Sequence, residues 1–177
     1  GRVVEDSTRF FEKKMVDGFL DKVKAGIDIP NYPQYRDMTQ MFIDMIEGVG
    51  TVNGGYIEIG ALTLKDGKGA IPEASAIWNR SQEIYEKLGK SFQLRICVTG
   101  PYTMSSLFAY KDKGVFTRLG NVLEQIIETN IFSNKHGRVR LVSVDEPVFG
   151  FIDDPLLDHG SEGRENLLKA WETMIQR

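Results

Sequence analysis

The sequence predicts an α/β fold built on a parallel sheet, and three observations carry that expectation. Strand-like and helix-like segments alternate along the chain. The two clearest strands, residues 92–99 (FQLRICVT) and 139–144 (VRLVSV), contain the near-continuous apolar runs expected of strands covered on both faces. Each then stops abruptly, at Gly100-Pro101 and at Asp145-Glu146-Pro147. Such alternation calls for right-handed crossovers between parallel strands.

In chain order, Asp6, Ser7 or Thr8 can cap a first helix, whose stripe is Phe11, Met15, Phe19 and Val23 and whose C-cap is Gly26. Residues 27–30 read as the end of a strand. A second helix is expected from about Arg36, with Met38, Phe42 and Met45 on one face, ending near Gly48 and Gly50. The glycine-rich stretch 51–71 suggests a short strand at 56–59, a hairpin partner around 62–64 and a turn at Asp66-Gly67. Pro72 opens a helix that runs to Gly89. After the strand at 92–99, a short helix to Tyr110 precedes a longer one at about 115–132, with Phe116, Leu119, Leu123, Ile126 and Ile127 as its stripe. A loop from Phe149 to Gly160 leads to a last helix carrying Leu167, Leu168, Trp171 and Ile175. About four core strands fit either a compact doubly wound sheet or part of a barrel, since a full (β/α)8 barrel takes about 250 residues.

The 177 residues fit a single α/β domain spanning 1–177. With 41% apolar and 27% charged residues the chain reads as an ordinary soluble globular protein. A formal net charge of -3 gives no basic footprint for nucleic acid. No apolar stretch is long enough for a membrane span, and the opening GRVVEDSTRFFEKK has no apolar core of a signal peptide. Cys97 is the single cysteine, so no internal disulfide forms, which suits the reducing cytoplasm.

Sites in parallel α/β folds lie at the carboxyl ends of strands. Asp145 and Glu146 end the strand 139–144, where carboxylates need partners and can grip an amine, a metal or a proton. Side chains alternate along an extended segment, so one of the pair is expected to face a pocket. Thr99, Gly100 and Pro101 form a strand-to-helix turn whose free amides suit an anionic group. Gln34, Arg36 and Asp37 lead into the second helix; Arg36 can fork onto a carboxylate, and Asp37 suits a helix N-terminus. Cys97 reads as a core residue, Asp153 and Asp154 as solvated charge, and His136 and His159 as surface residues. The cysteine and two histidines have no zinc-motif spacing, so no metal ligands are assigned.

The segments NYPQYRDMTQMF, VTGPYTM and LVSVDEPVFGF, in that order over residues 28–152, resemble the catalytic barrel of cobalamin-independent methionine synthase, nearest its short archaeal-type members. They resemble more distantly the uroporphyrinogen decarboxylase superfamily. The resemblance implies a parallel-stranded (β/α)8 barrel, present in part as about strands two to five. It implies a methyltransferase that moves a methyl group onto the thiol of homocysteine, with zinc favouring the thiolate. Asp145 takes the position of the family's amine-binding aspartate. Gln34 stands where a second, acidic amine ligand belongs. Thr99 and Gly100 match the segment lining the methyl-donor side, the donor being a folate or a methylcorrinoid. The family's zinc ligands, a His-x-Cys pair, a glutamate and a second cysteine, follow the Asp-Glu motif, and their cysteines have no counterpart after Cys97. The expectation is therefore an excerpt or one piece of an assembly, completed by self-association or joined by a corrinoid protein. Two other readings stay open: a corrinoid-linked or decarboxylase-like enzyme, and a non-catalytic binding or assembly module.

Overall fold

A computed structural model describes residues 2–151 and 153–175; Ile152, which closes the span carrying the resemblance, lies outside them. In chain order the elements are α1 (Arg2–Lys24), α2 (Gln40–Ile43), β1 (Ile46–Val52), β2 (Gly55–Leu64), α3 (Pro72–Asn79), α4 (Ser81–Leu88), β3 (Phe92–Thr99), α5 (Pro101–Ser105), α6 (Val115–Asn130), β4 (Gly137–Asp145) and α7 (Glu162–Ile175). No helix among the described residues is long and apolar enough to cross a membrane.

The expected parallel (β/α)8 architecture, even in part, is corrected. The described residues form four strands in two small sheets, an antiparallel pair β1–β2 and a parallel pair β3–β4. The physical reason lies largely in Asn53-Gly54. Asn53 has φ 45° and Gly54 φ 83°, the left-handed pair that a two-residue hairpin turn demands. The turn folds β2 back on β1, with Val52 opposite Gly55 and Ile46 opposite Leu64. The helical spacing of Met38, Phe42 and Met45 supports only the four-residue α2, and residues read as a helix end belong to β1. The hairpin partner of residues 56–59 is thus β1 and not 62–64, which lie in the same strand β2. Gly48, at φ 78°, sits where the register shifts, and a Cβ there would lie 2.2 Å from the Ala61 carbonyl oxygen.

Two compact units divide the chain. Unit 1 comprises Gly1–Tyr35, Ala70–Cys97 and Thr129–Ser143. Met15 and Phe19 of α1 are buried as their spacing predicts, and Phe19 meets Phe92 edge-on at 5.4 Å between ring centres. Residues 27–30, read as a strand end, are irregular; one residue on, Asn31 forms an isolated parallel bridge with Arg95, in which Arg95 N donates to Pro30 O at 2.9 Å. The long helix expected from Pro72 breaks at Arg80, whose φ of -103° and ψ of 17° interrupt the helical turn. β4 is another departure. β3 has six of eight residues buried, but Leu141 of β4 is 45% exposed and Arg138 and Arg140 are exposed. β4 is therefore half-covered, and among the described residues its outer edge is met at its start, where Asn134 N donates to Gly137 O and Val139 N to Phe132 O.

Unit 2 comprises Arg36–Gly69, Val98–Glu128 and Val144–Arg177. The tip of the hairpin docks on the segment after α5: Tyr56 N donates to Leu107 O at 2.9 Å and Ala109 N to Tyr56 O at 2.8 Å. Arg118 of α6 forks onto Glu58 of β2, Nε to Oε2 at 2.8 Å and Nη2 to Oε1 at 2.6 Å. α6 buries Phe116, Leu119, Leu123 and Ile126 as expected. Gly120 lets α7 close in, since a Cβ there would stand 2.8 Å from the Ala170 Cβ. In α7 Leu167, Ala170 and Met174 face inward, while Leu168 is 48% exposed and so leaves the predicted stripe.

A Cβ added at Gly54 would meet nothing within 4 Å, so its φ alone resists a side chain. Gly54→Ala is expected to lower stability by about 1 kcal/mol. Gly60→Ala, where a Cβ meets only an ordinary contact at 3.7 Å, is the near-neutral control. Urea denaturation of both checks this, and equal stabilities would remove the turn from the account.

Candidate functional site

In unit 2 the carboxyl ends of β3 and β4 bring Thr99, Gly100, Asp145 and Glu146 together. Gly100 N donates to Asp145 O at 2.9 Å, which ties the two strand ends. Thr99 is 1% exposed, and its hydroxyl donates to Met38 O at 2.8 Å. That bond leaves Thr99 holding the segment ahead of α2. Pro101 begins α5 in its favoured first position.

Glu146 is an acceptor hub. Its Oε1 accepts from Tyr102 N at 3.0 Å and from Trp171 Nε1 at 2.9 Å. Its Oε2 accepts from Thr103 N at 2.7 Å. One carboxylate thus satisfies two free amides of the first turn of α5 and the indole of α7. Gly100 is glycine for space, since a Cβ there would lie 2.2 Å from Glu146 Oε1. Tyr102, Phe149 and Trp171 pack edge-on in series, at 5.3 Å and 5.5 Å between ring centres. Burial, with help from Asp154 and Glu146, pushes the Tyr102 hydroxyl above its ordinary pKa. Val144 and Glu146 share a groove of about 340 Å³ with Phe149, Trp171 and Ile175.

Asp145 stands between these two residues and does not line the groove, in keeping with strand alternation. It is half-buried, and among the described residues its carboxylate has no hydrogen-bond or ion-pair partner. Of the two adjacent acids, Glu146 is engaged in structure and Asp145 is available to a ligand.

Asp37 caps α2: its Oδ1 accepts from Thr39 N at 2.8 Å, Thr39 Oγ1 at 2.7 Å and Gln40 N at 2.8 Å. Arg36 is exposed and already engaged. Gln34 belongs to unit 1, where its Oε1 accepts from Asn31 Nδ2 at 2.8 Å while its Nε2 is buried without a partner. The nitrogen that Gln34 offers is a donor, which suits a ligand oxygen better than an ammonium.

Sequence reasoning missed Trp171 as a site residue, placing it only with Leu167, Leu168 and Ile175 on the last helix. The signal is chemical: a part-buried indole N–H needs an acceptor, and Glu146 supplies it.

The zinc implied by the resemblance does not fit these residues. Cys97, the single thiol, is buried inside β3 at 2% exposure. Among the described residues no group of three or more His, Cys, Asp or Glu side chains stands together. No step is derived through zinc. No protein-family model matches the chain, and no curated protein matches it.

Two outcomes follow. Glu146→Ala strands three N–H donors and is expected to lower stability by about 2–4 kcal/mol, with Glu146→Gln falling between it and the parent. Urea denaturation measures both, and losses below about 0.5 kcal/mol would deny Glu146 its hub role. The Asp37 carboxyl is held below its unperturbed 3.8, first by the Gln40 amide and then by the Thr39 hydroxyl and amide. A lowered carboxylate stabilises the fold above 3.8 and loses that contribution as pH falls through its lower folded value. Thr39→Val is expected to bring the Asp37 titration, followed by carboxyl NMR, back toward 3.8; an unmoved titration would contradict the assignment.

Proposed function

We propose that this chain binds the amine of a small amino-acid substrate through Asp145, in a methyltransferase of the methionine synthase type that acts on homocysteine. The observation that carries the reading is the unpaired, half-buried Asp145 carboxylate at the end of β4. An ammonium is its natural partner, because a charge-assisted bond in a partly desolvated place is stronger than one in open water. The resemblance supplies the rest: the three ordered segments, and the aspartate position that Asp145 fills. The reading rests on those matches and on no barrel.

In this reading the residues around Asp145 position it. Glu146 fixes the start of α5 and the indole of α7, and the Gly100–Asp145 bond joins the two strand ends. Thr99, bonded to Met38, keeps its hydroxyl out of any contact with a methyl donor. A folate or a methylcorrinoid supplies the methyl group. Zinc activation of the thiol is no part of what these residues do.

Calorimetry with L-homocysteine and L-methionine tests the proposal. Asp145→Asn keeps the shape and removes the charge. It is expected to weaken binding by roughly 10- to 100-fold, the worth of a charged hydrogen bond of about 1.5–3 kcal/mol. Equal affinity in the parent and Asp145→Asn would sink the assignment, as would no binding of either amino acid by the parent.

A further inference from the structure

In unit 1 a chain of polar groups ends in donors that have nothing to donate to. Lys22 Nζ donates to Asn31 Oδ1 at 2.8 Å, to Asn31 O at 3.1 Å and to Tyr32 O at 3.3 Å. The ammonium can only donate, so the Asn31 oxygen must face it and the Asn31 nitrogen must face away. Asn31 Nδ2 then donates to Gln34 Oε1 at 2.8 Å. That bond fixes the second amide in the same sense and turns Gln34 Nε2 outward, buried and without an acceptor. Flipping Gln34 would set donor against donor, and flipping both amides would set Asn31 nitrogen against the ammonium. The direction of the whole relay is therefore set by Lys22.

A second orphan flanks the same asparagine. Arg95 pairs with Asn31 across the parallel bridge, which puts their side chains on one face of the ladder. Arg95 Nε is also buried without a partner. The two cations share a neighbourhood with no neutralising acid. Lys22 titrates below its ordinary value, chiefly through burial and further through Arg95, with Cys97 opposing. Among the described residues neither Lys22 nor Arg95 forms an ion pair with a carboxylate. Lys22, Asn31, Gln34 and Arg95 are each half-buried, and Asn31 is the residue that meets the other three.

We infer that unit 1 carries a site for a small oxyanion, a phosphate or a carboxylate, held by Gln34 Nε2 and the Arg95 guanidinium beside Asn31. A buried N–H left unpaired carries its full desolvation cost, and an oxyanion can accept from an amide donor and a guanidinium together while answering the guanidinium's charge. Lys22 has its donors occupied and acts through its charge and by orienting Asn31. The site is independent of the amine-binding role given to Asp145.

The test is thermal unfolding of the whole chain in rising inorganic phosphate or acetate, against sodium chloride at matched ionic strength. The expected result is a saturable rise in Tm with at least one anion, as binding to the folded state alone requires. Arg95→Met is expected to weaken that response at least tenfold. Gln34→Leu removes the orphan donor together with the Oε1 that accepts from Asn31 Nδ2, and is expected to lose the anion response. It carries the test if Arg95→Met does not fold. A rise with phosphate alone, or with acetate alone, identifies which oxyanion the site takes. No saturable rise in the parent overturns the inference, because a bridging water satisfies the same donors without any anion dependence. A response kept in Gln34→Leu overturns it as well.

Discussion

Three N–H donors in unit 2 converge on one carboxylate, and the candidate site depends on that convergence. Without Glu146 the first turn of α5 would leave Tyr102 N and Thr103 N unsatisfied, and the part-buried Trp171 indole would lose its acceptor. The constraint reaches back into the sequence. Position 100 must be glycine, because the carboxylate occupies the space of a β-carbon. Position 101 is well served by proline, whose missing N–H is not needed in a helix's first turn. A structural glutamate next to an aspartate that stays out of the same groove is a division enforced by strand alternation.

Polar satisfaction also separates the two units. In unit 2 several charged groups find partners: Arg118 with Glu58 and Asp112, Lys111 with Asp154, Glu146 with its donors. The half-buried Asp145 does not. In unit 1 the buried groups without a partner include two donors, Gln34 Nε2 and Arg95 Nε, beside a lysine bonded only to neutral oxygens. The contrast is one of sign, an unpaired acceptor in one unit and unpaired donors in the other.

Much of this was legible along the chain, and the gaps have physical causes. β3 and β4 announce themselves by apolar runs, and the residues that end them, Thr99-Gly100 and Asp145-Glu146, stand at strand ends as expected. The stretch from Gln40 to Val52 misled because Met38, Phe42 and Met45 repeat at helical spacing, while the stronger signal, Asn53-Gly54, lay just beyond it. The barrel expectation failed on the same turn, which commits two strands to an antiparallel pair. Which acid of Asp145-Glu146 is structural could not be read locally, since the decisive partner, Trp171, is 25 residues away. The Lys22–Asn31–Gln34 relay was hidden for a like reason: it needs the chain to turn after α1 before its members meet.

The bare outer edge of β4 bears on how the protein behaves at high concentration. Past Val139, a strand with its outward backbone groups unpaired and Leu141 exposed is a template for pairing with other chains. Arg138 and Arg140, on the face opposite that leucine, are both exposed. Two like edges brought side by side in register would press arginine against arginine, so the strand repels its own kind. That protection is electrostatic and therefore weakens as salt rises. Charge placed on this one strand thereby acts beside the small net charge of the chain.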